Sequence, residues 1–173
     1  MRVHEGWGGA SYGFLPLPRI GQEVLVTFLV GDPDQPIIMG RAYNGLEQVP
    51  YRLPEHKTRS TWKSHSSPNA DGFNEIMFED KKGEELLNIH AEKNMSRSVE
   101  YDDSTYVGHD QNITVKNHQW ISVEKYRSVT VEDGNESYNV NGHRGTYVQL
   151  DDSLTVDGHR SKLVGNGEAT EIT

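Results

Sequence analysis

Valine and isoleucine fall on an eight-residue grid through the C-terminal part of the chain. Val99, Val107, Val115, Val123 and Val131 stand eight apart. After one extra residue, Val140, Val148, Val156, Val164 and Ile172 resume the count. The chain holds 23 Val and Ile in all, so ten on one grid is not chance. Two residues before five of the ten beats sits a second apolar side chain: Ile113, Ile121, Val129, Tyr138 and Leu154. The residue between is polar, as at Thr114, Ser122, Thr130, Asn139 and Thr155. Apolar–polar–apolar is the alternation of a short half-buried strand.

The period rules out a helix. Eight residues advance an α-helix by about 80° beyond two turns, so ten beats would circle the helix and leave no stripe to bury. A strand followed by a corner fits instead. Gly, Asn and Asp cluster after the beats, as in Gly108-His109-Asp110, Asn141-Gly142-His143 and Asp157-Gly158-His159. Such residues accept the bent and left-handed backbone of corners. The extra residue between Val131 and Val140 is expected as a bulge at Glu132-Asp133-Gly134-Asn135.

A ribbon of this kind cannot bury its own valines. Each octad offers about two apolar side chains, and its strand edges would be left unpaired. A single-chain solenoid needs longer rungs, and its calcium-binding form carries a Gly-Gly-x-Gly-x-Asp repeat that this chain lacks. Eight-residue rungs therefore predict several chains winding together. Strands stack about 4.7–4.9 Å apart, so ten beats predict a prism on the order of 43 Å tall. Spacing alone does not give the number of chains.

The preceding residues have a different rhythm. Gln22–Val30 reads as a strand, Gly31–Pro36 as a turn and Ile37–Tyr43 as a second strand of one hairpin. Trp7–Phe14 reads as a further strand or a Gly-rich loop. Residues 47–72, with Pro50, Pro54 and Pro68, read as a connector. Phe73–Asp80 and Glu85–Ala91 read as two strands joined by a turn at Lys81–Glu84. The expected division is 1–46, 47–96 with lead-in strands, and the octad region 97–173.

Composition alone leans toward disorder: 34% hydrophobic, 25% charged and a mean hydropathy of −0.74. The periodic placement of the apolar residues argues against that, and a core shared between chains needs fewer of them per chain. A net charge of −9 argues against a nucleic-acid or anionic-membrane surface. There is no cysteine, hence no disulfide and no thiolate chemistry. Residues 1–20 lack a signal-peptide core and no apolar run reaches membrane-spanning length, so a soluble chain exported without a cleaved leader is expected.

Three features invite a chemical reading, and each has a plainer one. His118, His143 and His159 share a place three residues after the beat. Stacked corners could align them as metal ligands, but no Cys or Glu shares their register, so they read as solvated corners. Glu84-Glu85, Asp102-Asp103 and Asp151-Asp152 suggest a glycosidase. Adjacent acids on a strand face opposite ways, whereas two catalytic carboxylates must flank one bond. Trp7, Tyr12, Phe14 and Phe28 could stack bases, but the basic groove that binding needs is absent, so they read as core or interface. Trp120 reads as a corner covering one side of the prism. No catalytic, cofactor or metal residues are assigned.

The chain resembles the VgrG spike proteins of type VI secretion. Trp7, Gly13-Phe14, Pro18–Val24, Gly31–Asp34, Pro36, Gly40 and Tyr43-Asn44 look like the end of that family's OB-fold domain. Phe73–Glu75, Phe78, Asp80–Glu85 and Ala91 look like its lead-in to the β-helix, and octads follow. The resemblance implies an all-β fold: a partial OB-fold, then an intertwined triple-stranded β-helix, a trimeric β-prism of octapeptide repeats. It implies a homotrimer, related to contractile phage puncturing spikes, assembled in the bacterial cytoplasm and then injected. It implies an Hcp tube behind the spike, a PAAR-repeat tip and effectors at the C-terminal end, and transient contact with a target membrane. The domain that joins spike to tube is not matched, so a fragment is expected, with no C-terminal effector domain. The core of the β-helix is expected at Val99, Val107, Ile113, Val115, Ile121, Val123, Val129, Val131, Val140, Val148, Leu154, Val156, Val164 and Ile172. The expected function is mechanical, with no cofactor. The rivals are a spike with a polysaccharide-cleaving face and a non-puncturing effector adaptor.

Overall fold

The computed structural model describes residues 1–68 and 70–169. Ile172, the tenth beat, lies outside the described residues. The chain divides into two compact units, Met1–Tyr106 and Val107–Thr173.

The first unit carries eight strands: β1 (Arg2–Val3), β2 (Gly8–Gly9), β3 (Tyr12–Gly13), β4 (Glu23–Phe28), β5 (Pro36–Ala42), β6 (Arg59–Lys63), β7 (Glu75–Glu79) and β8 (Leu86–His90). They form three sheets, ordered β1-β5-β4, β2-β3 and β6-β7-β8. β4 and β5 are the expected hairpin, antiparallel with a register shift between Leu25 and Val26. β4 stops two residues earlier than the alternation suggested. A 3₁₀ turn takes Leu29–Gly31, where Val30 has φ 53°. Asp32 then anchors the loop: its carboxylate accepts the Asp34 N–H at 3.0 Å and the Gln35 side-chain amide at 3.0 Å. That pairing keeps the Asp32 carboxyl below its usual pKa, the Asp34 bond contributing most.

Two elements escape the sequence pattern. β1 is two residues long and runs parallel to β5, with Arg2 opposite Ile37 and Val3 opposite Ile38. β6 lies inside the stretch read as a connector. Arg-Ser-Thr-Trp-Lys has no apolar alternation, yet it pairs along its length with β7, Arg59 opposite Glu79 and Lys63 opposite Glu75. β7 and β8 are the expected strand–turn–strand, with Ile76 opposite Ile89 and Phe78 opposite Leu87. The Trp7–Phe14 stretch is a minimal hairpin, turned through Ser11 at φ 68°.

In the second unit no described residue belongs to a strand pairing within the chain. The backbone runs in extended segments broken by sharp bends, and the bends keep the eight-residue beat. They fall at 108–109, 116–117, 124–125, 132–134, 141–142, 149–150, 157–158 and 165–166, each directly after a beat valine. The same bend follows Val99 in the first unit, at 100–101.

One expectation about the corners is corrected. Among the described octad residues, only Gly134 and Gly167 have positive φ, +136° and +127°. The other corners turn without left-handed backbone, which is why Glu124-Lys125 and Gln149-Leu150 serve as well as Asn141-Gly142. The extra residue interrupts no in-chain ladder, since the described octad residues form none. It lengthens one corner from two bent residues to three, with Gly134 taking the conformation other residues avoid.

The chain buries little within itself. Among the described residues, Met77 is the only buried apolar side chain. The accessible surface is 17702 Å². A compact monomer of this mass would expose roughly 8,500 Å².

Candidate assembly interface

The nine described beats share one environment. Val99, Val107, Val115, Val123, Val131, Val140, Val148, Val156 and Val164 are each 43–51% exposed. A residue that merely decorates a surface varies with its neighbours. Here each valine is covered by its own chain to nearly the same extent. The position two before the beat is more open: Ile113, Ile121, Val129, Tyr138 and Leu154 are 61–72% exposed. The residues expected to face away are bare. Tyr106, Tyr147 and Leu163, each directly before a beat, are 89–98% exposed. The two-residue alternation therefore holds through an extended backbone with no ladder of its own.

Corner geometry also brings together side chains that sequence spacing does not suggest. At three corners the residue two before a beat meets the residue four after it, across the bend. Arg97 pairs with Asp103 in this way and Lys162 with Glu168. Arg144 lies over the Tyr138 ring at 4.7 Å. The two ion pairs stand at the first and last described corners, with mainly apolar residues at the same place between them. Exposed pairs of this kind contribute little each, about 0–1 kcal/mol, so we read them as fixing corner shape.

The residues singled out for chemistry are scattered. His118, His143 and His159 are exposed, and the His118 ring lies 5.2 Å from that of Trp120, itself 84% exposed. Among the paired acids, Glu84 bonds Lys81 at 2.5 Å and Glu85 accepts the Gly83 N–H at 2.8 Å, both closing the β7–β8 turn. Asp103 holds the Arg97 corner. Asp102, Asp151 and Asp152 are exposed. Trp7, Tyr12, Phe14 and Phe28 do not form a core within this chain, being 67%, 61%, 39% and 46% exposed. Trp7 packs on Tyr12 with ring centroids 6.0 Å apart, and Phe14 on Trp62 at 4.9 Å.

Sequence reasoning missed the polar face of the β6-β7-β8 sheet. Alternation in β7 predicts Ile76 and Phe78 inward and the acids outward. The structure inverts this: Glu75, Met77 and Glu79 are the buried residues of the strand. Glu75 Oε1 accepts from Tyr51 Oη at 2.8 Å and Thr61 Oγ1 at 2.6 Å. Glu79 accepts from Thr58 Oγ1 at 2.5 Å, Arg59 Nε at 2.8 Å and the Lys81 N–H at 3.1 Å. The Phe73 and His90 rings stack at 4.5 Å nearby, with Lys63 Nζ 3.9 Å from the Phe73 centroid.

The donors set the carboxyl pKa values. The Thr58 and Arg59 bonds hold Glu79 at about 2, below its ordinary 4.5. At Glu75 burial pushes upward, but the Thr61 and Tyr51 bonds and the charges of Lys63 and His90 outweigh it and the carboxyl ends below the ordinary value. The Tyr51 hydroxyl is raised by burial and then by Glu75. A lowered folded-state pKa gives stability that is present above the unfolded value and lost as pH falls through the folded one. Thermal stability of this sheet should therefore be flat above about pH 5 and fall between about 4.5 and 2. Glu79→Gln should flatten that acid limb, as followed by near-UV circular dichroism. An unchanged limb would show that another group carries it.

The repeating half-open valines and the unpaired extended backbone define a class: a strand-built module completed by association. The family described as the bacteriophage T4 gp5 C-terminal trimerisation domain matches residues 60–172, and the chain belongs to that family. The match supports a homotrimer and an all-β fold. The family described as the type VI secretion system/phage-baseplate injector OB domain matches residues 1–43. Curated relatives agree. The type VI secretion system spike proteins VgrG1c and VgrG4b of Pseudomonas aeruginosa are 54% and 47% identical over 116 and 114 residues. Each match covers 66% of this chain but 16% and 14% of the relative. The actin cross-linking toxin VgrG1 of Vibrio cholerae is 47% identical over 114 residues, 66% of this chain and 10% of that protein. The chain thus matches about one sixth or less of the length of these relatives.

Proposed function

We propose that this chain is the needle portion of a type VI secretion spike, a rigid homotrimer that transmits force and catalyses no reaction. The observation that carries this is the uniform half-exposure of nine successive valines. Three chains wound around one axis would cover the open half of every beat. Strand partners from neighbouring chains would satisfy backbone groups that have none in their own. The fourteen residues expected in the β-helix core are the contacts of that axis, with Val123 in the unbroken middle of the register.

The rest of the assembly follows from the spike role. An Hcp tube would join on the side of the OB-related residues. A PAAR-repeat tip and effectors would dock beyond the last octads. Assembly would take place in the bacterial cytoplasm, followed by injection and transient contact with the target membrane. The OB-related residues 1–46 would serve as a base, 47–96 as lead-in and 97–173 as needle. No cofactor, metal or nucleic acid has a role in this reading.

The test uses cells carrying the full-length protein. Replacing Glu84, Glu85, Asp102, Asp103, Asp151 and Asp152 with Asn or Gln should leave secretion within about twofold of the parent, because exposed charges contribute little to assembly. Secretion lost on these changes, with the trimer intact, would favour a polysaccharide-cleaving face.

A further inference from the structure

The chain contains three Asn-Gly pairs: Asn44-Gly45, Asn141-Gly142 and Asn166-Gly167. In such a pair no Cβ shields the glycine nitrogen from the asparagine side-chain amide. Gly167 has φ +127°, whereas Gly45 and Gly142 lie outside the left-handed region and have open space where a Cβ would sit. The first two pairs therefore differ chiefly in how the asparagine is held. Asn44 Oδ1 accepts the Leu46 and Glu47 N–H groups at 2.9 and 2.8 Å, and its Nδ2 donates to Glu23 Oε2 at 2.8 Å. Its own N–H donates to the Glu47 carbonyl at 3.0 Å. Any swing of this amide toward the Gly45 nitrogen breaks those bonds. Asn141 is the reverse case. It is exposed, it forms the bend after Val140 together with Gly142, and among the described residues it has no hydrogen-bond partner within the chain.

We infer that Asn141 is a self-modification site, converting spontaneously to aspartate and isoaspartate far faster than Asn44. The Gly142 nitrogen gives its proton to hydroxide and attacks Asn141 Cγ. The new C–N bond closes a succinimide ring, the Cγ–Nδ2 bond breaks, and the amide nitrogen leaves as ammonia. Water then opens the ring. Attack at the side-chain carbonyl yields aspartate, and attack at the main-chain carbonyl yields isoaspartate. Nothing is oxidised or reduced. Either product adds one negative charge per chain to the formal −9, and isoaspartate also adds one atom to the backbone of the corner. The corner at 132–134 already takes an extra residue, so a longer corner is compatible with the beat.

Native full-length protein is kept at mildly alkaline pH, its oligomeric mass is measured, and its peptides are mapped over time. Conversion at Asn141 is expected at least about tenfold faster than at Asn44, since an exposed, unbonded corner opens more readily than a hydrogen-bonded turn. In urea, where neither asparagine is held, the two should convert at similar rates. Gly142→Ala adds a Cβ that meets nothing within 4 Å, so the corner is kept while the attacking nitrogen is shielded. This variant should slow conversion at Asn141 about tenfold with the oligomeric mass unchanged. Three results would each overturn the inference: conversion at Asn141 no faster than at Asn44 in the native protein, conversion undiminished in Gly142→Ala, or a native difference that persists in urea. A monomeric parent would overturn the trimer instead and leave this chemistry standing.

Discussion

Val123→Asp is expected to abolish assembly. Val123 is 51% exposed in its own chain, within the narrow range shared by every described beat, and it stands in the unbroken run Val99–Val131. In a threefold assembly the change sets three carboxylates side by side in one dry layer. One unpaired buried charge costs several kcal/mol, and each charge here also repels two others. The variant should sediment as monomer where the parent is trimeric. Asp152→Ala, on an exposed residue, should assemble and melt within about 0.5 kcal/mol of the parent per chain. If both variants behave like the parent, the beat does not face the axis.

Deleting the octads from Val140 onward is the second large effect. It removes Val140, Val148, Val156, Val164 and Ile172, half of the ten beats, together with the end proposed to dock the tip. In cells carrying the full-length spike with this deletion, delivery into target cells should drop to background. Expression and oligomeric mass should be measured alongside, since the remaining beats Val99–Val131 keep the continuous register. Delivery at the parental level would remove the needle role from these octads.

The octads were legible because their signal is a spacing, and spacing survives whatever the partner is. The corners follow each beat in the structure as they do in the sequence. What corners need was less legible. Glycine and asparagine suggested left-handed backbone throughout, but only Gly134 and Gly167 adopt it among the described octad residues. The contact between the residue two before a beat and the residue four after it, as in Tyr138 with Arg144, depends on the bend and has no periodic signature.

The first unit shows where alternation misleads. β6 was hidden because Arg59-Ser60-Thr61-Trp62-Lys63 carries a single apolar side chain, and its contribution is donors for Glu75 and Glu79. β7 was recognised, but its faces invert the usual rule. An alternating strand says which residues share a face, not which face meets its own chain. That is decided by what lies above it, here Tyr51, Thr58, Thr61 and Arg59 over two carboxylates. A protein completed by copies of itself can close the polar side first and leave the apolar side for assembly.

The central claim is that one chain of this sequence is an incomplete fold. Light scattering on the purified chain tests it most directly. Three copies of 19.5 kDa give 58.5 kDa, and a single mass near that value, unchanged on dilution, is the expected result. A stable, folded species at 19.5 kDa would contradict the trimer, the needle and the shared valine core together.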